Sequence, residues 1–256
     1  MPNRRPRSLK HEYELYVEEE IENYKESIPR SALLAIGDEA VAALERDSQL
    51  SLTELLLVDE VDRIIFRRLR LPSYQTWRRR RLKAAAELRR PERWGLAPDA
   101  PVVRTVVPSA DGRVLVAGDG TEGSALLLAA HGCDVLTIGR REDALMRVLN
   151  EAEAAGLSER VRALVGDLSS FTPDAPLRAV VCSLSALTAL SKSERARALE
   201  LLKEATADGG IHLVEGVAKG RSASVLDEVV ASYAGWRVSM EGDREVGTLV
   251  AWKEVA

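Results

Sequence analysis

Between Gly112 and Gly216 the chain alternates short apolar runs with helix-like stretches, and this rhythm restricts the fold more than any other feature. The strand-like runs are RVLVA (113–117), DVLTI (134–138), VRALV (161–165), RAVVCS (178–183) and IHLVEG (211–216), separated by EGSALLLAAHG, EDALMRVLNEAEAAG and KSERARALELLKEAT. Short strands joined through helices imply parallel βαβ units with right-handed crossovers and helices on both faces of one sheet. The tail breaks the pattern: after SASVLDEVVASYAG come WRVSMEGD and EVGTLVAWKE, joined by a short charged turn. That spacing predicts a closing hairpin, so the fold class is α/β, a mostly parallel sheet with an antiparallel C-terminal hairpin.

The first part of the chain reads differently. From Glu12 to about Arg90 aliphatic residues recur at helical spacing and prolines fall only at breaks (Pro29, Pro72, Pro91), which predicts three or four helices. Ser31 is a candidate helix start, and Ser51 with Glu54 has the spacing of a capping box. Residues 91–112 are rich in Pro, Gly and Asp, and the run VVRTVV within them suggests a short strand. The expected organisation is a helical N-terminal domain (1–95), a linker (96–112) and a sheet domain (113–256).

Charge is polarised in the helical region: residues 11–62 sum to about −12 and residues 63–93 to about +10. Mutual attraction accounts for the basic run Arg78–Arg81. An RNA partner is the functional reading of the same run, and it requires a basic face left uncompensated. Trp77 and Trp94 bracket this helix and are expected to dock it on a core. Tyr13, Tyr16 and Tyr24 share one side of the first helix, as interhelical packing or as a pocket lining.

Other classes fall away. No apolar run approaches the ~20 residues that span a bilayer, and the basic N-terminus is followed by HEYELYVEEEIEN, not an apolar core, so no membrane association is expected and the protein is expected to be cytoplasmic. Two cysteines, Cys133 and Cys182, and three histidines provide neither a disulfide framework nor a metal cluster. The cysteines read as buried hydrophobes, His212 as a packed strand residue, and His131 as a group meeting carbonyls at a helix end.

The turn VLVAGDGTEGS (114–124) is the candidate ligand site. Glycine permits positive φ and close approach to main-chain N–H groups, and ligands of parallel sheets lie beyond the carboxyl ends of the strands. VLVAGDGTEG, ALLLAAHGCDVLTI, RVRALVGDL, RAVVCSLSALTAL and LLKEATADGGIHLVEG, in this order, resemble the class I S-adenosylmethionine-dependent methyltransferases over about residues 110–256. The resemblance implies a Rossmann-like, seven-stranded sheet and S-adenosylmethionine as cofactor. It places Gly118, Asp119, Gly120 and Thr121 against the methionyl portion, Asp167 on the adenine amino group, Leu168 beside the ring and Ser183 near the methyl. The same Asp167 also reads as a turn cap in GDLSS.

Two positions depart from that family's pattern. Val116 replaces an acidic residue, and Gly139, followed by Arg140, stands where a carboxylate grips the ribose. Glu142 or Asp143 could substitute from the next turn, though their spacing suits a helix cap. GDGTEG also fits GxGxxG, and Arg140 with Arg141 would suit the 2′-phosphate of NADP, although no Tyr-x-x-x-Lys pair accompanies it. Three functions stay open: methyl transfer to a small molecule or, second, to RNA; a methyltransferase-like binding or scaffold protein; and an NADP-dependent oxidoreductase. No catalytic residue is named by the sequence, Glu215 and Ser185 being the polar side chains nearest the expected cleft.

Overall fold

In the computed structural model, residues 8–46, 54–109, 112–217, 221–242 and 246–254 are described. Ser51 of the expected capping box lies outside them. The chain divides into two compact units, Met1–Ala84 and Ala85–Ala256.

The first unit contains α1 (Leu9–Ser27), α2 (Arg30–Glu45), α3 (Glu54–Leu69) and most of α4 (Tyr74–Leu88). Ser8 caps α1, accepting the N–H of His11. The cap of α2 is Pro29 and not Ser31, which falls inside the first turn, because the Pro29 carbonyl already accepts from Ala32 and Leu33. Ile21, Ile36, Ala40, Ile64 and Ile65 form the buried core, with Tyr24 packed beside it. Tyr13 and Tyr16 meet Tyr74 and Trp77 of α4, and the Tyr13 hydroxyl donates to the Pro72 carbonyl at 2.9 Å. The tyrosine stripe is therefore interhelical packing.

The charge asymmetry is neutralised only in part. Lys25 pairs with Asp62 at 2.7 Å, Arg63 and Arg67 flank the buried Glu60, Arg68 meets Glu39, and Arg81 meets Glu12 at 3.5 Å. Arg78, Arg79, Arg80 and Lys83 of α4 are exposed and have no carboxylate partner among the described residues.

The second unit begins earlier than the sequence boundary suggests. A helical turn at Pro91–Trp94 packs with the sheet, and the Trp94 indole N–H donates to the Leu88 carbonyl at 2.7 Å. Val102–Val106, expected as a strand, is a π-helical turn. Four-residue spacing buries Val102 and Val106 together against the sheet, and the Thr105 hydroxyl donates back to Pro101. Packing of that face overrides the β preference of valine.

The sheet order is β3-β2-β1-β4-β5-β7-β6, formed from β1 (Arg113–Ala117), β2 (Asp134–Gly139), β3 (Val161–Val165), β4 (Leu177–Ser183), β5 (Thr206–Val217), β6 (Arg237–Gly242) and β7 (Val246–Trp252). β1 to β5 are mutually parallel; β7 runs antiparallel between β5 and β6. This is a seven-stranded, mostly parallel, Rossmann-like sheet with an antiparallel C-terminal pair. On one face α5 (Glu122–Ala130) and α6 (Glu142–Ala154) bury Leu126, Leu127, Leu128 and Val148. On the other, α7 (Leu184–Thr188), α8 (Lys192–Ala205) and α9 (Arg221–Ser232) bury Leu187, Leu199 and Val229.

His212 is fully enclosed in β5. The Thr206 hydroxyl donates to Leu202, so it accepts the Nε2 proton of His212 at 2.7 Å, and the bare Nδ1 accepts the Tyr233 hydroxyl at 2.8 Å. Burial, followed by the charges of Lys203 and Lys253, pushes its pKa down to about 3. The unfolded chain takes up this proton near pH 6.5 and the folded chain does not, so stability is lost as pH falls below about 6.5, by roughly 1.4 kcal/mol per pH unit until about 3. Urea unfolding at pH 7 and pH 5 should differ by about 2 kcal/mol from this group alone, and His212→Gln should remove that share; an unchanged difference would place the acid sensitivity elsewhere.

Candidate ligand-binding cleft

β1 ends at Ala117, and the chain turns through Gly118, Asp119 and Gly120 into α5. Gly118 has φ +98° and its N–H donates to the Ile138 carbonyl at 3.0 Å. A Cβ there would lie 2.0 Å from Ser183 Oγ and 2.8 Å from Ala186 Cβ. Glycine is thus required twice, by its left-handed backbone and by the approach of the segment after β4. The buried Thr121 hydroxyl donates to the Gly118 carbonyl at 2.7 Å and closes the turn. Gly123 serves packing: a Cβ would sit 2.3 Å from the Trp94 carbonyl oxygen.

Strand order reverses between β1 and β4, and a cleft opens there beyond the carboxyl ends of the strands, the usual ligand position in such sheets. Its cavity volume is about 170 Å³, below the ~300–1,000 Å³ typical of small-molecule sites. Gly118, Asp119, Gly139, Arg140, Asp167 and Leu168 all line it. Thr121 lines a narrow annex shared with Gly118, Asp119 and Gly139. Gly120 and Ser183 are outside both walls. Ser183 instead caps α7, accepting the Ala186 N–H at 3.3 Å, and meets the Ser185 hydroxyl at 2.8 Å.

Ser185, Ala186 and Ala189 complete the wall opposite β2. Of these only Ser185 is singled out by sequence. The available signal for the alanines was their small size after β4, in SLSALTAL, where bulk would close the cleft.

Electrostatics inside the cleft differ from the expected pattern. Asp167 Oδ1 accepts the Ser169 N–H at 3.0 Å and hydroxyl at 2.5 Å, while Oδ2 accepts Arg140 at 2.8 Å. These bonds, the Ser169 hydroxyl first and the guanidinium next, hold its carboxyl below the usual range. Asp167 is therefore a turn cap as well as a cleft residue. Arg141 grips Asp143 through two bonds, at 2.7 and 3.3 Å, at the exposed start of α6, and Asp143 does not line the cleft. Gly139 ends β2, and a Cβ there would touch only Leu145, at 3.6 Å. Val116 is fully buried in the sheet, where an unpaired carboxylate would be costly.

The remaining candidates lie away from the cleft. Cys133 and Cys182 are buried, and burial pushes the Cys182 thiol up to about 12. His131 meets the Arg89 carbonyl at 3.3 Å and not its own helix end, whose carbonyls already accept the N–H groups of His131, Gly132 and Cys133.

No protein-family model matches the chain, and no curated protein does. Among solved structures it is similar to the glycopeptide N-methyltransferase MtfA complexed with S-adenosyl-L-homocysteine, at 16% identity over 59% of this chain and 86% of that one with a TM-score of 0.47. The N-methyltransferase NodS from Bradyrhizobium japonicum WM9 is similar at 13% identity, over 62% of this chain and 100% of that one, with a TM-score of 0.47.

Gly118→Ala should cost about 1–3 kcal/mol from backbone strain, before any clash with Ser183 is added. Urea denaturation reads the loss, and wild-type stability would disprove the packing requirement.

Proposed function

We propose that the cleft binds S-adenosylmethionine and that the chain transfers its methyl group to a small-molecule acceptor. The observation that carries this reading is the glycine turn at the strand-order reversal, facing Asp167 and Leu168 across one cleft. The residues fit such a ligand. Gly118 and Asp119 offer backbone and carboxylate to the methionyl end, Gly139 leaves space at the ribose, and Ile138 and Leu168 form apolar walls for the adenine. Asp167 Oδ2 uses one lone pair on Arg140 and retains another for the adenine amino group.

When bound, the donor supplies an electrophilic methyl group on a sulfonium. The chain's contribution is then orientation: rigid strand ends hold the donor while the acceptor is aligned with the methyl, and positioning supplies much of the rate. The ribose carboxylate missing at Gly139 costs roughly 1.5–3 kcal/mol, about ten- to a hundredfold in affinity.

A second reading, a methyltransferase-like binding or scaffold protein, is favoured by that same absence together with the Arg140–Asp167 pair across the cleft. Nothing in the structure favours the NADP reading over the donor reading: Arg140 and Arg141 are exposed and pair with Asp167 and Asp143.

Calorimetry with S-adenosylmethionine, S-adenosylhomocysteine and NADPH separates these functions. Binding of the first two is expected; silence with all three supports the scaffold. Gly139→Asp should tighten S-adenosylmethionine binding by about tenfold, and unchanged affinity would move the ribose elsewhere. RNA is the second acceptor class, resting on the uncompensated Arg78, Arg79 and Arg80 of α4. RNA affinity should fall steeply with salt and drop when Arg78–Arg81 are changed to Gln; affinity insensitive to both would exclude that face.

A further inference from the structure

A row of polar residues crosses the carboxyl end of the sheet next to the cleft. Ser183 of β4 is in register with Glu215 of β5, Glu215 with Thr248 of β7, and Thr248 with Glu241 of β6. Strand alternation puts these side chains on the face that buries Val181, Leu213 and Val250 one pleat earlier. Three members of the row have their surroundings settled. Ser183 bonds Ser185 and the α7 backbone, Thr248 is buried in the sheet, and Glu241 accepts Arg104 at 2.6 Å.

Glu215 is different. It has no hydrogen-bond or ion-pair partner among the described residues, although it is partly buried and burial raises its pKa. Its carboxylate oxygens, lacking a partner, still reach solvent from a partly buried position, and ionisable groups with burial-shifted pKa values gather at functional sites. Its position gives the use. Ser183 is the residue that fills the space beside Gly118, and Glu215 is one strand further along the same face, about 4.8 Å away in the hydrogen-bonding direction. Neither Ser183 nor Glu215 lines the cleft, and Glu215 stands one strand beyond it on the β5 side; a group reaching past the donor turn toward β5 would meet this carboxylate.

We propose that Glu215 selects a cationic amine as the methyl acceptor, holding it beside the donor turn; the inference rests on the donor reading above. Glu215 takes one proton from the bound ammonium and leaves it as the free base. The nitrogen lone pair then forms the N–C bond, the C–S pair stays with sulfur as a neutral thioether, the product leaves as the N-methylammonium, and Glu215 returns its proton to solvent. Charge, hydrogen bonding and proton acceptance are thereby supplied by one side chain.

Sinefungin tests this without the natural acceptor, because it carries a primary ammonium where the donor carries its S-methyl group. Calorimetry on the full chain should show sinefungin binding about tenfold more tightly than S-adenosylhomocysteine. Glu215→Gln should bring that ratio to about one while leaving S-adenosylhomocysteine affinity unchanged, which also shows that the variant is folded. A ratio equal in both proteins overturns the role of Glu215 and leaves the donor reading intact. Loss of S-adenosylhomocysteine binding in the variant alone makes Glu215 structural and likewise overturns it. Failure of the wild-type chain to bind any of these ligands overturns the donor reading and this inference with it.

Discussion

The approach of Ser183 to Gly118 sets the geometry of the carboxyl edge of the sheet. With no Cβ at Gly118, the segment after β4 can close onto the end of β1, so that α7 begins where its small residues face β2 across the cleft. A larger residue would separate these two strand ends and widen the one place where the strand order reverses. Fold and site are therefore coupled through a single contact between main chain and hydroxyl.

The cleft combines features that favour a donor with others that weaken its hold. Glycine turn, apolar walls and Asp167 suit an adenosyl group, whereas Gly139 contributes no charge and Arg140 occupies one oxygen of Asp167. The exposed Arg140–Asp167 pair is worth little by itself, about 0–1 kcal/mol, so a ligand can displace or share it at small cost. On the donor reading, the absence of a carboxylate at Gly139 is the larger effect.

Much of the sheet was legible because buried parallel strands need apolar runs of a particular length, and those runs stand between glycine turns and helices. Gly118 and Asp119 follow from the glycine turn at a strand end, whereas Asp167 and Leu168 came from the resemblance to the methyltransferases and Gly139 and Arg140 from its departures; all six line the cleft. Val102–Val106 was misleading: β-branched composition suggests a strand, but only the tertiary partner reveals that four-residue spacing is what gets buried. Ser183 could be placed at the end of β4, yet its turn inward to cap α7 depends on a helix too short to show periodicity. Glu215 was visible as a polar strand end, while its lack of a partner is a property of three neighbouring strands.

The contact between Gly123 and the Trp94 carbonyl bears on where the sheet could be excised as an independent piece. The composition shift at 96–112 invites a cut there, but such a fragment would discard the backbone against which the first turn of α5 is seated, together with the indole anchored on Leu88. The ligand turn would then begin a helix with one side bare. A fragment that keeps the seat of α5 retains the stretch from about Ala85, so that a segment resembling a tether in sequence functions as masonry behind the glycine turn.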